Sequence, residues 1–255
     1  MPNRLARLKL FYDISGAKGL FAHILGRFAP QPRFSRHATL NDFKIHDVRF
    51  ASDTWQMLST LGIDFSMEQK TILEDEFKAF SELQHEYLAD EDFPHNWNSG
   101  ESLRFLLFSF IRLMKPEFVI ETGTANGYST AAIAHGFQLN GKGVVHSFDI
   151  LESSAPLVLP GSKKHVNIVK VNESPKSLLR VARSLELDTE KGFYFHDSDH
   201  SYFGQHHDYE LAKLLGFKYY FSDDVETSLV FCERSSQNKS AVLFDGRKFI
   251  GAMLI

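Results

Sequence analysis

The sequence predicts an α/β fold, a mostly parallel sheet with helices between its strands and an antiparallel strand added by a closing hairpin. Three observations carry that expectation. Short β-branched and aromatic runs (Phe118–Ile120, Val144–Phe148, Val166–Val171, Gly192–His196, Lys218–Phe221) alternate with helical patterns (Tyr128–Leu139, Pro175–Leu185, Tyr202–Leu215), the rhythm of repeated strand–helix–strand units. Gly123, Gly127, Gly141 and Gly143 punctuate the first such unit, where tight turns need backbone freedom. Ser240–Phe244 and Lys248–Leu254 are two further strands joined through Asp245-Gly246, a strong hairpin signal.

At 255 residues, the chain has room for one α/β domain, read as residues 101–255, and an N-terminal helical extension over residues 1–100 that caps its substrate side. Hydrophobic residues make up 43% and charged residues 24%, the balance of a globular protein. The net charge of −4 gives no global attraction to nucleic acid. The single cysteine, Cys232, excludes an internal disulfide and points to a reducing, cytoplasmic setting. The 24 phenylalanines fill a core or line a pocket, and composition does not choose between these. Self-association into a homo-oligomer stays open.

In chain order, residues 1–33 set Arg4, Arg7, Lys9, Lys18, Arg27 and Arg33 among apolar residues such as Phe11, Phe21 and Ile24. Two readings fit: a helical extension packed on the domain, or a basic amphipathic segment in peripheral contact with a membrane surface or a partner. Residues 30–66 read as irregular. Met67–Leu88 reads as a helix with Leu73, Phe77, Phe80, Leu83 and Tyr87 on one stripe. Asp90–Gly100 is a loop, either a plain connector or a border of the substrate pocket. Ser102–Met114 is apolar nearly all round, hence a buried helix, and Pro116 stops it.

The stretch Phe118–Ile150 organises the chain. A strand leads into the turn Glu-Thr-Gly-Thr-Ala-Asn-Gly, a helix follows, and Asp149 ends the next strand. Ala125 and Tyr128 stand where a dinucleotide fingerprint wants glycines, so that fingerprint fails. Asp149 follows Gly127 by 22 residues, close to the ~20 expected of an acid that pairs with a ribose. Glu121 beside the turn repels a pyrophosphate but suits the cationic end of a methionine-like ligand. Gly123 and Gly127 allow close backbone approach to that ligand. Turn, helix and terminal acid together resemble motif I of the class I S-adenosylmethionine-dependent methyltransferases. An ordinary α/β unit without a ligand is the alternative.

A second constellation lies at the ends of the two later strands, His196-Asp197-Ser198-Asp199-His200 and Ser222-Asp223-Asp224-Val225. In an open α/β sheet ligands bind outside such strand ends. Asp197, Asp223 and Asp224 converging without basic residues among them would repel one another, and a hard divalent cation such as Mg²⁺ on oxygen ligands would relieve that. Capping of the following helices is the alternative. His200 can accept a proton at neutral pH. Asp199 is the rival base, because strand parity would turn it into the same cavity.

The run Phe-Tyr-Phe-His-Asp-Ser-Asp-His-Ser-Tyr with the later Ser-Asp-Asp-Val resembles the metal-dependent O-methyltransferases of sugars and natural products, and more distantly catechol O-methyltransferase. The resemblance spans about Leu103 to Val225. It implies the Rossmann-like methyltransferase fold with a seven-stranded sheet. It implies Asp197, Asp223 and Asp224 as metal ligands and His200 as the base. Gly123, Ser129, Asp149 and Ser174 match positions that contact the methionine end, the methionine carboxylate, the ribose and the adenine of S-adenosylmethionine. Ala125 departs from the family pattern, as does Leu-Leu-Gly-Phe-Lys before the last parallel strand. The expected activity is methyl transfer to a hydroxyl of a small-molecule or glycoside acceptor. The alternatives are a catalytically inactive S-adenosylmethionine-binding interaction protein and a metal-dependent hydrolase on the same fold; an NAD-linked enzyme is disfavoured by the missing glycine.

Overall fold

The apolar runs become strands because both of their faces are covered. In β2 (Phe118–Thr122), Phe118 and Ile120 enter one core while Val119 enters the other. In β5 (Gly192–His196), Phe193 and Phe195 take the second of these sides and Tyr194 the first. This is the period-two alternation of a sheet buried on both sides. The computed structural model describes residues 36–88, 93–94, 97–152, 155–171, 179–180 and 183–255.

The remaining elements are α1 (Leu40–Ile45), β1 (Arg49–Ala51), α2 (Thr54–Thr60), α3 (Met67–His85), α4 (Glu101–Met114), α5 (Tyr128–Asn140), β3 (Val144–Asp149), β4 (Val166–Lys170), α6 (Tyr202–Leu215), β6 (Tyr219–Ser222), α7 (Val230–Ser235), β7 (Ser240–Phe244) and β8 (Phe249–Leu254). The sheet runs β1-β7-β8-β6-β5-β2-β3-β4. Every pairing is parallel except the two that β8 makes, with β6 and β7. The strand order reverses beside β2, which has β5 on one side and β3 on the other. That reversal opens a crevice at the carboxyl ends of these strands, where an open α/β sheet places its ligand. The expected α/β architecture and its closing antiparallel strand are present.

The sheet has eight strands rather than seven. The extra one, β1, pairs with β7 at the edge and lies in the stretch read as irregular. That stretch also holds α1 and α2. Thr39 and Asp42 close α1 with a reciprocal capping box, and Asp53 caps α2 through the Gln56 N–H; such caps let very short helices form. The stripe on α3 also differs. Leu83 is half exposed while Gln84 is buried, accepting from Arg104 at 2.6 Å and donating to the Leu157 carbonyl at 3.3 Å. A buried side-chain amide with partners on both sides outcompetes a leucine for the inward position. Residues 1–33, most of Asn172–Leu185, and parts of Asp90–Gly100 lie outside the described residues, and with them the expectations placed there. Among the described residues, no helix is long and apolar enough to cross a membrane.

The helix α4 lies against the sheet under β5 and β6. Phe110 is buried and meets Phe193, Tyr219 and Phe221 edge-on, with ring centroids at 4.9, 5.0 and 4.8 Å. Phe110→Ala removes all three contacts and leaves a cavity, so it should cost about 3–5 kcal/mol in urea unfolding; a loss under about 1 kcal/mol would show that this helix does not hold the sheet.

Candidate active site

The site is built from the carboxyl ends of β2, β3, β5 and β6. After β2 the chain turns at Gly123 (φ +92°) and Gly127 (φ +79°), with Ala125 also left-handed at φ +42°. A Cβ on Gly123 would sit 2.0 Å from the Asp197 carbonyl oxygen. The glycine is therefore needed to let the turn rest on the end of β5. Gly127 faces Ala155 in the same way, with 2.7 Å to its Cβ. Asp149 at the end of β3 folds onto the turn. Its Oδ2 accepts the Thr124 and Ala125 N–H groups at 2.8 and 3.1 Å, and its Oδ1 accepts that of Leu151 at 2.8 Å. Acceptor capacity on Oδ1 is left for a further donor.

Glu121 lies under the turn, fully buried. Ser129, Thr130 and Ser147 donate their hydroxyls to it at 2.6, 2.6 and 2.5 Å. Burial pushes its carboxyl up to about 6, and the hydroxyl bonds pull the other way. The Glu121 carboxylate is thus a fixed negative charge enclosed by hydroxyls, and Ser129 stands on it at the first turn of α5. Of these two serines and one threonine only Ser129 was foreseen: Thr130 and Ser147 carry no motif of their own.

Two acidic tips meet as expected. His200 Nε2 lies 3.6 Å from Asp197 Oδ1 and 3.5 Å from Asp224 Oδ2, so it spans the ends of β5 and β6. Burial, reinforced by the neighbouring His196, brings His200 down to about 4, which leaves it neutral at pH 7 and able to take a proton. Asp197 is raised well above the ordinary carboxylate range, first by burial and then by Asp223. Burial likewise lifts Asp223 to about 6, opposed by Lys248. Asp199 points elsewhere. It is exposed and accepts the Ser201 backbone N–H and hydroxyl at 3.1 and 3.0 Å. β5 ends at His196, so strand parity does not reach Asp199 and it does not join the cluster as a rival base.

The carboxylates do not converge alone. Lys248 projects from the end of the β7–β8 turn, just before β8, into the cluster, ion-paired with Asp223 and lying 3.4 Å from Asp224 Oδ2, and its side chain is 8% exposed. Burial would lower its pKa, but Asp223, Asp197 and Asp224 outweigh that and raise it, so it is an ammonium. Among the described residues no group of three or more His, Cys, Asp or Glu side chains is arranged to hold a metal ion. The set Asp197, Asp223 and Asp224 expected to bind Mg²⁺ therefore does not fit a divalent ion as it stands: a hard cation needs those oxygens, and an ammonium and an imidazole already occupy them. The groups around the turn do fit S-adenosylmethionine: an enclosed anion beneath, an acid at the ribose position, and the amino end of α5 at Tyr128. Ser174, the expected adenine contact, lies outside the described residues.

A separate network fixes the end of β5. Asp208 on α6 accepts from Thr122 Oγ1 at 2.6 Å and lies 2.7 Å from His196 Nδ1 and 3.0 Å from His207 Nδ1. Burial alone would raise its pKa, but the bonds to His196 and His207 win and hold it below the usual carboxylate range. On the other side, Ser99 donates to Asp197 Oδ2 at 3.1 Å and borders a cavity of about 1220 Å³. Trp55, Phe77, Phe105, Tyr128 and Arg104 line that cavity, and the Arg104 guanidinium lies 4.3 Å from the Tyr128 ring centroid. Asn98, Ser99 and Gly100, from the described part of the loop 90–100, thus border this cavity.

Residues 120–215 match a protein-family model described as a methyltransferase domain. Among solved structures the chain is similar to the O-methyltransferase from Bacillus cereus in complex with SAH, with 17% identity and a TM-score of 0.45 over 78% of this chain and 96% of that one. It is also similar to the O-methyltransferase TomG from Streptomyces achromogenes, involved in tomaymycin synthesis, in complex with SAM (16% identity, TM-score 0.48, 77% and 93% covered). A third is the SAH-bound Podospora anserina methyltransferase PaMTH1 (14%, 0.45, 75% and 97%). No curated protein matches the sequence.

Glu121 makes the stability of this site depend on pH. Its folded pKa is raised from 4.5 to about 6, so the folded state holds the proton more tightly than the unfolded chain. The stability it contributes is complete below about pH 4.5 and is lost as pH rises through about 6. Between pH ~4.5 and ~7 the native protein should lose on the order of 2 kcal/mol more unfolding free energy than Glu121→Gln, measured in urea. Equal losses would mean that Glu121 does not titrate in that window.

Proposed function

We propose that this chain, whose residues 120–215 match a methyltransferase domain, is an S-adenosylmethionine-dependent enzyme that methylates a hydroxyl group of a small-molecule acceptor. The observation that carries the reading is the meeting of Asp197, Asp224 and His200 at the ends of β5 and β6, against the glycine turn and beside the cavity that Ser99 borders. When bound, S-adenosylmethionine supplies a methyl group already activated on a sulfonium.

The chain's own residues then have two tasks. Glu121 supplies a fixed anion below the turn for the cofactor's cationic end, with Ser129 as the hydroxyl in reach and Gly123 and Gly127 shaping the bend. Asp149 receives the ribose hydroxyls on its open oxygen. On the acceptor side, His200 is the neutral base: it takes the hydroxyl proton as the oxygen–carbon bond forms and the carbon–sulfur bond breaks. Its Nδ1 makes no hydrogen bond, so that nitrogen's lone pair is not committed to another donor. Holding the two reacting atoms in line at ~3–3.5 Å would remove much of the entropic barrier.

The cavity supports the acceptor class. A volume of about 1220 Å³ exceeds the ~300–1,000 Å³ of ordinary ligand pockets. Its walls mix aromatic rings with Lys70, Glu74, Lys78 and Asp245, charges of both signs, which suit a neutral polyhydroxylated or aromatic acceptor such as a glycoside.

Calorimetry with S-adenosylhomocysteine and transfer from labelled S-adenosylmethionine to a panel of phenols and glycosides test the reading. His200→Ala should cut transfer by roughly 10²–10⁴-fold while product affinity changes by less than about threefold. Asp149→Ala should weaken product binding by about tenfold or more, the loss of one or two charge-assisted hydrogen bonds. An absence of binding to the native protein overturns the cofactor assignment. Equal loss of binding and transfer in His200→Ala removes that residue as the base.

A further inference from the structure

We propose that the Lys248 ammonium is the resident cation of the acidic cluster and holds the place that a divalent ion would otherwise take. This rests on the reading of Asp197, Asp223 and Asp224 as the acceptor side of the methyl-transfer site. The position of Lys248 follows from strand direction. β8 is antiparallel to β6, with Ser222 opposite Gly251, so the amino end of β8 arrives at the carboxyl end of β6. That is where Asp223 and Asp224 leave the sheet.

The backbone there is held on both sides. The Lys248 N–H donates to Asp245 Oδ1 at 2.8 Å, and the Phe249 N–H donates to Glu226 Oε2 at 3.0 Å. The side chain is enclosed together with Asp223, which is fully buried. An ammonium has three protons and no acceptor. Asp223 Oδ2 and Asp224 Oδ2 are within reach of two of them. The third can meet an acceptor oxygen at the cluster. A divalent ion entering beside it would face a like charge at contact distance, and it could gain the carboxylates only by expelling a buried lysine. His200 Nε2, between Asp197 and Asp224, closes the remaining side.

Two consequences separate this cluster from a metal site: the native protein should not take up a divalent ion, and removal of the ammonium should create a site for one. Mn²⁺ titration of the full chain, followed by electron paramagnetic resonance, reads both. Native protein should leave Mn²⁺ free up to about 1 mM, while Lys248→Met should bind one equivalent at least roughly tenfold more tightly. Adding Asp223→Asn to that variant should abolish the uptake. Stoichiometric uptake by the native protein at micromolar Mn²⁺ overturns the proposal, and so does a folded Lys248→Met that takes up none. Should Lys248→Met fail to fold, the native titration decides alone. Calorimetry with S-adenosylhomocysteine on the same native preparation reports separately on the methyl-transfer reading, because its predicted contacts lie at Asp149 and Glu121 and not at Lys248.

Discussion

Charge compensation at one edge of the sheet is the constraint around which the site is arranged. The carboxyl ends of β5 and β6 deliver Asp197, Asp223 and Asp224 to one small volume, and burial penalises Asp197 and Asp223 as charged groups. Left alone, such a cluster would cost far more than a domain's margin of stability. Lys248 and His200 resolve it from opposite sides, the first as a permanent cation and the second as a neutral donor between two carboxylates. The antiparallel course of β8 is what makes this solution available. In a sheet whose every strand ran parallel, the amino end of a strand would lie at the opposite edge from these acids.

The same edge carries two further buried acids, and each is handled differently. Glu121 is paired with three hydroxyls and no cation, so it stays a site of unspent negative potential under the glycine turn. Asp208 is paired with two histidines and a threonine and is held firmly ionised. Asp208 fixes the last residue of β5 and, through it, the direction in which Asp197 leaves the strand. Glu121 sits one residue earlier on β2 than Thr122, the threonine that bonds Asp208, and strand alternation sends the two side chains to opposite faces of the sheet. One strand thus supplies a rigid anchor on one side and an anion for a ligand on the other.

Much of this was legible in the residues. Glycine spacing, the terminal Asp149 and the alternating strands located the turn and the sheet, and α6 begins and ends where its cap residues Ser201 and Gly216 put it. The short elements α1, β1 and α2 were not foreseen, because three to seven residues show too little periodicity. The Thr39–Asp42 capping box was nevertheless there to be read. Gln84 was passed over in favour of Leu83 because hydropathy ignores a partner twenty residues away, Arg104. Asp199 was drawn into the site by extending strand parity past the strand's last residue. Lys248 was missed for a different reason. The hairpin was recognised, but the direction of its second strand relative to β6 was not carried through to where that strand's first residues must lie.

That omission bears on the chemistry. A divalent ion draws two adjacent oxygens of an acceptor into its coordination sphere, so it selects for vicinal diols and catechols and polarises both oxygens at once. A single ammonium is a directional point charge with one proton to spare, and it can engage one oxygen. On the proposed reading, selection between acceptors would then shift away from the cluster and onto the cavity wall. Trp55, Phe77, Phe105 and Tyr128 supply the apolar faces there, and Arg104, buried over the Tyr128 ring, supplies the polar mark. On the proposed reading, proton removal would rest on His200 alone, since an ammonium lowers the pKa of a neighbouring hydroxyl less than a bound metal ion does. With His200 as the base, its depressed basicity would favour acceptors whose hydroxyl is already acidic, phenols ahead of simple alcohols.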